Sequence, residues 1–186
     1  MSTTTPQTTT PQTTALPSIE GTRWRIDPMR SQIEFRTRTF WGLVTVKGRF
    51  EHYEGRLDLK HEPAVELTID ASSLDTNNDK RDQHLRSAAF FDVDKHPRVR
   101  FVSDRATLNG ERLTVSGQLY AAGTSMPLNL DARLRRVGEG LEVDARTSAD
   151  HRHLGMIHSP LGMIRTPSEL IVHGRLVADP DSSPGA

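Results

Sequence analysis

The chain has 186 residues, no cysteine, and 24 basic against 24 acidic side chains. This length suits one domain with or without tails, the zero net charge excludes a general nucleic-acid binder, and the lack of cysteine excludes a disulfide framework, a thiolate nucleophile and a zinc knuckle. Only 34% of the residues are apolar and 5% are aromatic, so either part of the chain is unfolded or the fold is partly hollow.

Both ends of the chain have the composition of tails. Residues 1–18 contain eight Thr, three Pro and two Gln, and such a stretch cannot bury enough apolar surface to offset the entropy of ordering it. We expect disorder over residues 1–20 and again over residues 179–186. There is no apolar segment typical of a secretory signal, and no apolar run approaches the roughly 18 residues of a membrane span. The default expectation is a cytoplasmic protein.

Residues 21–178 are predicted to form a single antiparallel β domain. Apolar residues recur at every second position, which is typical of strands with one wetted face. Asn109-Gly110 and Gly138-Glu139-Gly140 have the composition of hairpin turns. An all-β, antiparallel barrel of about eight strands fits best, and a two-sheet sandwich is the competing architecture. Nine segments carry the alternation: residues 33–35, 44–50, 57–59, 65–69, 99–101, 113–119, 128–134, 141–145 and 170–176.

Four glycines interrupt these strands at positions that share the inward parity: Gly48, Gly55, Gly117 and Gly174. Glycines inside strands often mark bends or bulges, which a sheet needs in order to close on itself. They therefore favour the barrel.

Residues 78–89 break the alternation. The segment is polar, lacks Pro and Gly, and places Leu85, Ala88 and Ala89 on one narrow apolar stripe. We predict one short helix that caps an end of the barrel.

Residues 82–101, which run from Asp82-Gln83-His84 to Arg98-Val99-Arg100-Phe101, closely resemble the signature of the YceI-like family. Further segments that are similar to this family follow in order at 24–28, 31–35, 46–50 and 117–130, so that the resemblance covers about residues 24–177. It implies a lipocalin-like barrel associated with the binding of polyisoprenoid chains. Similar proteins are often exported, which is the alternative to a cytoplasmic location.

The inward parity of the strands consists mostly of aliphatic residues and glycine, with few aromatic rings. This interior is either a packed core or a tunnel for one apolar chain, and the resemblance favours the tunnel. Each buried methylene contributes about 0.8 kcal/mol, so a prenyl chain can bind without directional contacts. The residues predicted to line the tunnel are Phe35, Val46, Phe50, Leu67, Phe101, Val115, Leu119, Leu130 and Val143.

Basic residues of the predicted helix are candidates for contact with a polar or pyrophosphate head group. Arg81, His84 and Arg86 carry this hypothesis. The alternative is a solvated helix face that Asp79 and Asp82 balance.

Metal and catalytic sites have weaker signals. In a strand, His151 and His153 would face the same side, with His158 nearby, but no cysteine or acidic partner lies at ligand spacing, and we predict no metal site. No nucleophile elbow, P-loop or dinucleotide fingerprint is present, and Asp82 with His84 is the one weak acid–base pair. We therefore predict no enzymatic activity.

The predicted function is the binding, sequestration or transport of an isoprenoid or similar lipid inside the barrel. No cofactor is expected beyond a bound isoprenoid or quinone-like lipid, and no nucleic acid or transmembrane segment is expected. The sequence is compatible with a homodimer. The alternatives are a stress-related scaffold without lipid and a histidine-based metal-binding barrel.

Overall fold

A computed structural model of the protein describes residue 19 and residues 21–39, 43–156 and 167–180. Both predicted tails therefore lie almost wholly outside the described residues. No helix in the described part of the chain is long and apolar enough to cross a membrane. The elements are β1 (Arg23–Ile26), β2 (Gln32–Thr39), β3 (Val44–Phe50), β4 (Tyr53–Asp58), β5 (Ala64–Asp70), β6 (Leu74–Asp75), α1 (Asp79–Arg86), β7 (Arg98–Asn109), β8 (Arg112–Ala121), β9 (Thr124–Val137), β10 (Gly140–Ala149) and β11 (Ser168–Ala178).

Eight strands close into a barrel. Their order around the ring is β1-β4-β5-β7-β8-β9-β10-β11, and β11 pairs with β1 to complete it. Every pairing is antiparallel. The predicted barrel is confirmed, and the closed ring rules out the two-sheet sandwich.

Three further strands branch from the ring. The C-terminal end of β11 pairs with β1, whereas its N-terminal part pairs with β2, and the sheet continues from β2 to β3 and β6. Between β1 and β2 the chain makes one turn of 3-10 helix at Pro28–Arg30, where Asp27 accepts a hydrogen bond from Met29 N at 3.1 Å. Proline at the start of this turn ends the ladder of β1, because it has no N–H to donate.

The nine predicted strands correspond to β2–β5 and β7–β11. The alternation was not assigned to β1, although Trp24 and Ile26 alternate with arginines there, nor to β6, which has only two residues. At the β7–β8 pairing the register shifts between Ser103 and Arg105. A Cβ added at Gly117, opposite this irregularity, would lie 2.8 Å from Ser103 Cα. Glycine is thus required there by the close approach of two backbones, as the sequence predicted.

Helix α1 is shorter than predicted. Asn78 caps its first turn by accepting from Arg81 N at 3.0 Å, and the helix ends at Arg86 rather than at residue 89. The reason is local: Ser87 is extended, and its hydroxyl donates to His84 O at 2.7 Å. Ala88 and Ala89 therefore lie in the link between α1 and β7.

Several connections meet at the same end of the barrel as α1. The ring of Phe91, in the α1–β7 link, lies 6.3 Å from that of Phe50, and the neighbouring Phe90 ring lies 6.0 Å from the imidazole of His151. The turn after β10, His151–Leu154, thus packs against the α1–β7 link. One end of the barrel is covered by these two segments together with α1, whose Leu85 is buried.

Candidate ligand-binding cavity

The barrel interior is not filled. It holds a cavity of about 230 Å³, and all eight strands of the ring contribute to its wall. An apolar cavity of about 150 Å³ already admits a benzene-sized guest and stays dry when empty. The sequence was compatible with a packed core or with a tunnel for an apolar chain, and the structure has an interior with room for an apolar guest. The wall includes Ile26, Leu57, Leu67, Phe101, Leu119, Leu134, Val143 and Leu170.

Three polar residues along this wall have partners elsewhere in the protein. Glu66 pairs with Arg100 at 2.5 Å, and the hydroxyl of Ser168 lies 2.6 Å from that of Thr37. Thr147 donates to the carbonyl of Asn129. Because these groups are engaged with other parts of the protein, the cavity offers a guest mainly hydrocarbon.

Seven of the nine predicted lining residues lie along the cavity wall: Phe35, Phe50, Leu67, Phe101, Leu119, Leu130 and Val143. Val46 does not. It shares the inward parity of β3, but it pairs with Thr37, which lies past the last β2–β11 backbone pair at Arg36. β3 lies outside the ring, and at Val46 it pairs with a part of β2 that has no backbone pair with β11, so correct parity does not place the side chain on the cavity wall.

Val115 also lies off the wall, for a different reason. Its side chain is buried on the inner face of β8, but it does not reach the cavity, which its longer neighbours Leu113 and Leu130 line. Parity therefore identified the face correctly, but an inward-facing position was not sufficient to reach the cavity.

Sequence reasoning missed the part of the wall that does not come from strands. Leu85 of α1, Phe90 and Phe91 of the link, and His151 all line the cavity. Period-two alternation carries no information about such segments. The signal that points to the two phenylalanines is the resemblance over residues 82–101, in which they are embedded.

Aromatic rings form a continuous row along one side of the cavity. The ring of Phe35 lies 5.7 Å from that of Phe50, and Phe90 and Phe91 are 5.2 Å apart in an edge-to-face arrangement. Tilted and edge-to-face geometries are the favoured ones for such pairs. Gly48 makes room for the first ring, since a Cβ there would lie 2.5 Å from Phe35 Cε1.

The two histidines of the predicted metal alternative do not share a face. They belong to a 3-10 turn rather than a strand, and His151 is buried with 6% exposure whereas His153 is exposed. His158 lies outside the described residues. Across the described ranges, no group of three His, Cys, Asp or Glu side chains is placed to hold a metal ion.

Asp150 positions this turn. Its carboxylate accepts from Arg152 N at 3.0 Å and from the guanidinium of Arg152 at 2.6 Å. These hydrogen bonds hold the pKa of Asp150 well below its usual range, despite opposing desolvation. Gly155 ends the turn with a positive φ of 73°. His151 therefore reaches the cavity wall from a turn that is capped at both ends.

Two of the three head-group candidates are engaged within the protein. Arg81 donates to the hydroxyl and the carbonyl oxygen of Thr76, at 2.7 and 2.8 Å. Arg86 donates to the carbonyl oxygens of Ser72 and Leu74. Both guanidinium groups fasten α1 to the segment around β6. His84 is half-buried on the same helix, and contact with a ligand head group stays a prediction for all three residues.

A family model described as a YceI-like domain matches residues 24–175. A UPF0312 protein of Pectobacterium carotovorum subsp. carotovorum is 39% identical over 112 residues, which cover 58% of this chain and 57% of the relative. The chain thus matches a little over half the length of this curated relative.

Solved structures share the fold. The crystal structure of Burkholderia cenocepacia BcnA has a TM-score of 0.73 and 16% identity, and the match covers 81% of this chain and 98% of that one. A polyisoprenoid-binding domain from Saccharophagus degradans, implicated in plant cell wall breakdown, has a TM-score of 0.64 and 14% identity, with coverages of 84% and 98%. At these identities the comparison establishes the architecture of the barrel.

Proposed function

The chain belongs to the YceI-like domain family, and from that premise we propose that its barrel binds the apolar chain of a polyisoprenoid or a similar lipid, without catalysing a reaction. The observation that carries the proposal is the central cavity with its hydrocarbon wall. The polyisoprenoid-binding domain from Saccharophagus degradans, which has the same fold, supports this class of ligand. Sequestration and transport are the two roles that such binding can serve.

Hydrocarbon burial supplies the affinity in this proposal. Each methylene that leaves water contributes about 0.8 kcal/mol. Hydrogen bonds to the ligand need not contribute to its affinity, because the polar groups of Glu66, Thr147 and Ser168 already have partners within the protein. The selectivity for a ligand then depends on the length and width of its hydrocarbon chain.

The volume of the cavity limits which ligands can enter it without a rearrangement of the lining side chains. Pockets for drug-sized ligands usually measure about 300–1,000 Å³, and this cavity measures about 230 Å³. A prenyl chain of several units therefore requires some lining side chains to change rotamer. Phe90 and Phe91 are suited to such a change, because they lie in a link and can move without breaking a strand pairing.

Denaturing extraction followed by mass spectrometry tests the proposal directly. We expect the purified protein to release a stoichiometric long-chain lipid, and the emptied protein to be stabilised by the probes farnesol and geranylgeraniol. At a ligand concentration about 100 times the Kd the stabilisation is about 2.7 kcal/mol, and the Tm of a chain of this size rises by about 2–4 °C per kcal/mol. An empty extract together with an unchanged Tm would refute lipid binding.

Two matched substitutions locate the ligand. Ala132 and Ala145 are cross-strand partners that both line the cavity, so Ala132→Leu or Ala145→Leu adds an isopropyl group to its interior. Ala64→Leu makes the same change at an exposed strand position. We expect the cavity variants to carry far less lipid than the wild type and the Ala64→Leu control to carry as much. Equal lipid in folded cavity and control variants would place the ligand outside the barrel.

A further inference from the structure

The β2–β3 hairpin extends past the barrel. The last backbone pair between β11 and β2 is at Arg36, while β3 pairs with β6 only at Arg49 and Phe50. Beyond these points the described residues of the hairpin form backbone pairs only with each other, although Thr37 is buried and its hydroxyl lies 2.6 Å from that of Ser168 in β11. We call residues 36–39 and 43–47 the outer hairpin end. The intervening sequence, Phe40-Trp41-Gly42, lies outside the described residues.

The outer hairpin end exposes aliphatic side chains. Leu43 is 85% exposed and Val44 is 46% exposed, and they are two of only four large apolar residues exposed in the described part of the chain. The two residues are adjacent, and Val44 is the first residue of β3. Single exposed apolar residues need no explanation, but adjacent ones on a projection often mark an interaction site.

The same segment is rich in basic residues. Residues 35–48 include three basic and no acidic residues. Arg36 lies directly opposite Lys47 in the strand register, an arrangement of like charges that destabilises a sheet. Glu34, 3.4 Å from Arg36, offsets part of this repulsion at the inner limit of the segment. The charges favour an anionic partner.

Charge and hydrocarbon lie on different faces of the outer hairpin end. Arg36, Arg38 and Lys47 share one face by strand parity, since Lys47 pairs with Arg36. Val44 and Val46 share the opposite face, and Leu43 lies at the turn. A basic face beside an apolar one is typical of segments that lie in the interfacial region of a membrane.

We propose that the outer hairpin end docks the protein on an anionic lipid surface. Leu43 and Val44 enter the head-group region, and the basic side chains face the lipid phosphates. A second copy of this chain is a poorer occupant, because strands paired edge to edge would bring two basic segments together. Phe35, the residue before Arg36, lines the cavity, so docking places the cavity wall beside the lipid surface. The proposal does not depend on what the cavity binds.

Sedimentation with vesicles tests this docking. We expect the full chain to bind vesicles of phosphatidylcholine with one third phosphatidylglycerol, to bind pure phosphatidylcholine vesicles weakly, and to lose binding as salt is raised. Lys47→Gln should lower the partition coefficient about fivefold, since one basic residue near an anionic surface contributes about 1 kcal/mol. Leu43→Asp should lower it about tenfold or more, because it removes a buried leucine from the interface.

Met29→Asp is the matched control. Met29 is 92% exposed but lies in the turn between β1 and β2, outside the outer hairpin end, and this variant should bind the vesicles like the wild type. The docking proposal fails if the wild type ignores anionic vesicles, if it binds both vesicle types equally, or if Leu43→Asp and Lys47→Gln bind unchanged. A dimer in solution that Leu43→Asp converts to a monomer, without vesicle binding, would assign the surface to a second copy instead. Lipid extraction from the purified protein is read out separately, so failure here leaves the ligand proposal standing.

Discussion

Asp82 is the one buried carboxylate among the described residues, with 5% of its surface exposed. It accepts hydrogen bonds from Thr76 N at 3.1 Å and from the hydroxyl of Thr76, to which Arg81 also donates. A buried charge is tolerated only when such bonds replace its hydration. The three side chains together join α1 to the strand that precedes it, and through Leu85 they position part of the cavity wall.

Removing this carboxylate is expected to destabilise the protein. Because hydrogen bonds to charged groups contribute about 1.5–3 kcal/mol, Asp82→Ala should lower the free energy of unfolding in urea by about 2–3 kcal/mol. Asp79→Ala, at an exposed position in the same helical turn, should cost less than about 1 kcal/mol. Equal costs for the two variants would contradict the structural role given to Asp82.

The sequence alone could not distinguish these two aspartates. Both lie in the first turn of the predicted helix, and both were assigned to a solvated face. What separates them is Thr76, which follows the two-residue strand β6. A strand this short leaves no periodic signal. The partner that buries Asp82 was therefore hidden from pattern reasoning, and so was its structural role.

The sequence analysis considered His151 and His153 only as residues of a strand, although the end signals of a helical turn are present around His151–Leu154. Asp150 is a preferred residue at the start of a helical turn, and Gly155 suits the positive φ at its end. The His-x-His spacing favoured a shared face, whereas the caps decide the local conformation. Local capping chemistry thus took precedence over spacing, and it separated His151 from His153.

Lowering the pH should reduce the stability that Asp150 contributes to the folded protein. Since the pKa of Asp150 is lowered in the folded protein, its contribution to stability is present above about pH 4, where it is ionised in both states, and is lost as the pH falls through the lowered pKa. We expect Asp150→Asn to cost less than about 1 kcal/mol at neutral pH, because its partner Arg152 is exposed. The difference from the wild type should narrow as the pH falls below about 4.

Urea unfolding across this pH range checks the expectation. Arg152→Gln, which removes the guanidinium hydrogen bonds and keeps the one from the backbone N–H of residue 152, should show a smaller change in the same direction. A gap between Asp150→Asn and the wild type that stays constant down to pH 2 would show that the carboxylate is not the titrating group.

At the scale of the whole molecule, alternation predicted the class of fold but not the shape of the interior. Parity identifies which side chains face inward, and it did so for both Phe101 and Val115. Parity does not identify which of them reach the cavity, since Phe101 lines it and Val115 does not. In β3, which lies outside the ring, inward parity does not bring Val46 to the cavity. The residues that line the cavity can be identified only when the register of every strand is known.

Closure of the ring rests on its shortest strand. β1 has four residues and pairs with β4 and β11 through three positions each. Such a short ladder needs side-chain packing to hold it, and Trp24 and Ile26 supply this from the buried face of β1. In an all-antiparallel ring every strand then has two neighbours, so that no open edge is left between β1 and β11. The barrel is therefore most easily opened at this seam.

Trp24→Ala should open the seam before the rest of the barrel unfolds. Truncating a buried tryptophan costs about 3–5 kcal/mol, and we expect hydrogen exchange to accelerate first at β1, at its partners in β4 and at residues 176–178 of β11. The pairing of β7 with β8 lies on the far side of the ring and should keep its protection. Arg25→Ala, on the exposed face of the same strand, should leave exchange almost unchanged. Exchange that rises equally in all strands would mean that the barrel opens as one cooperative unit and that β1 is not its weakest point.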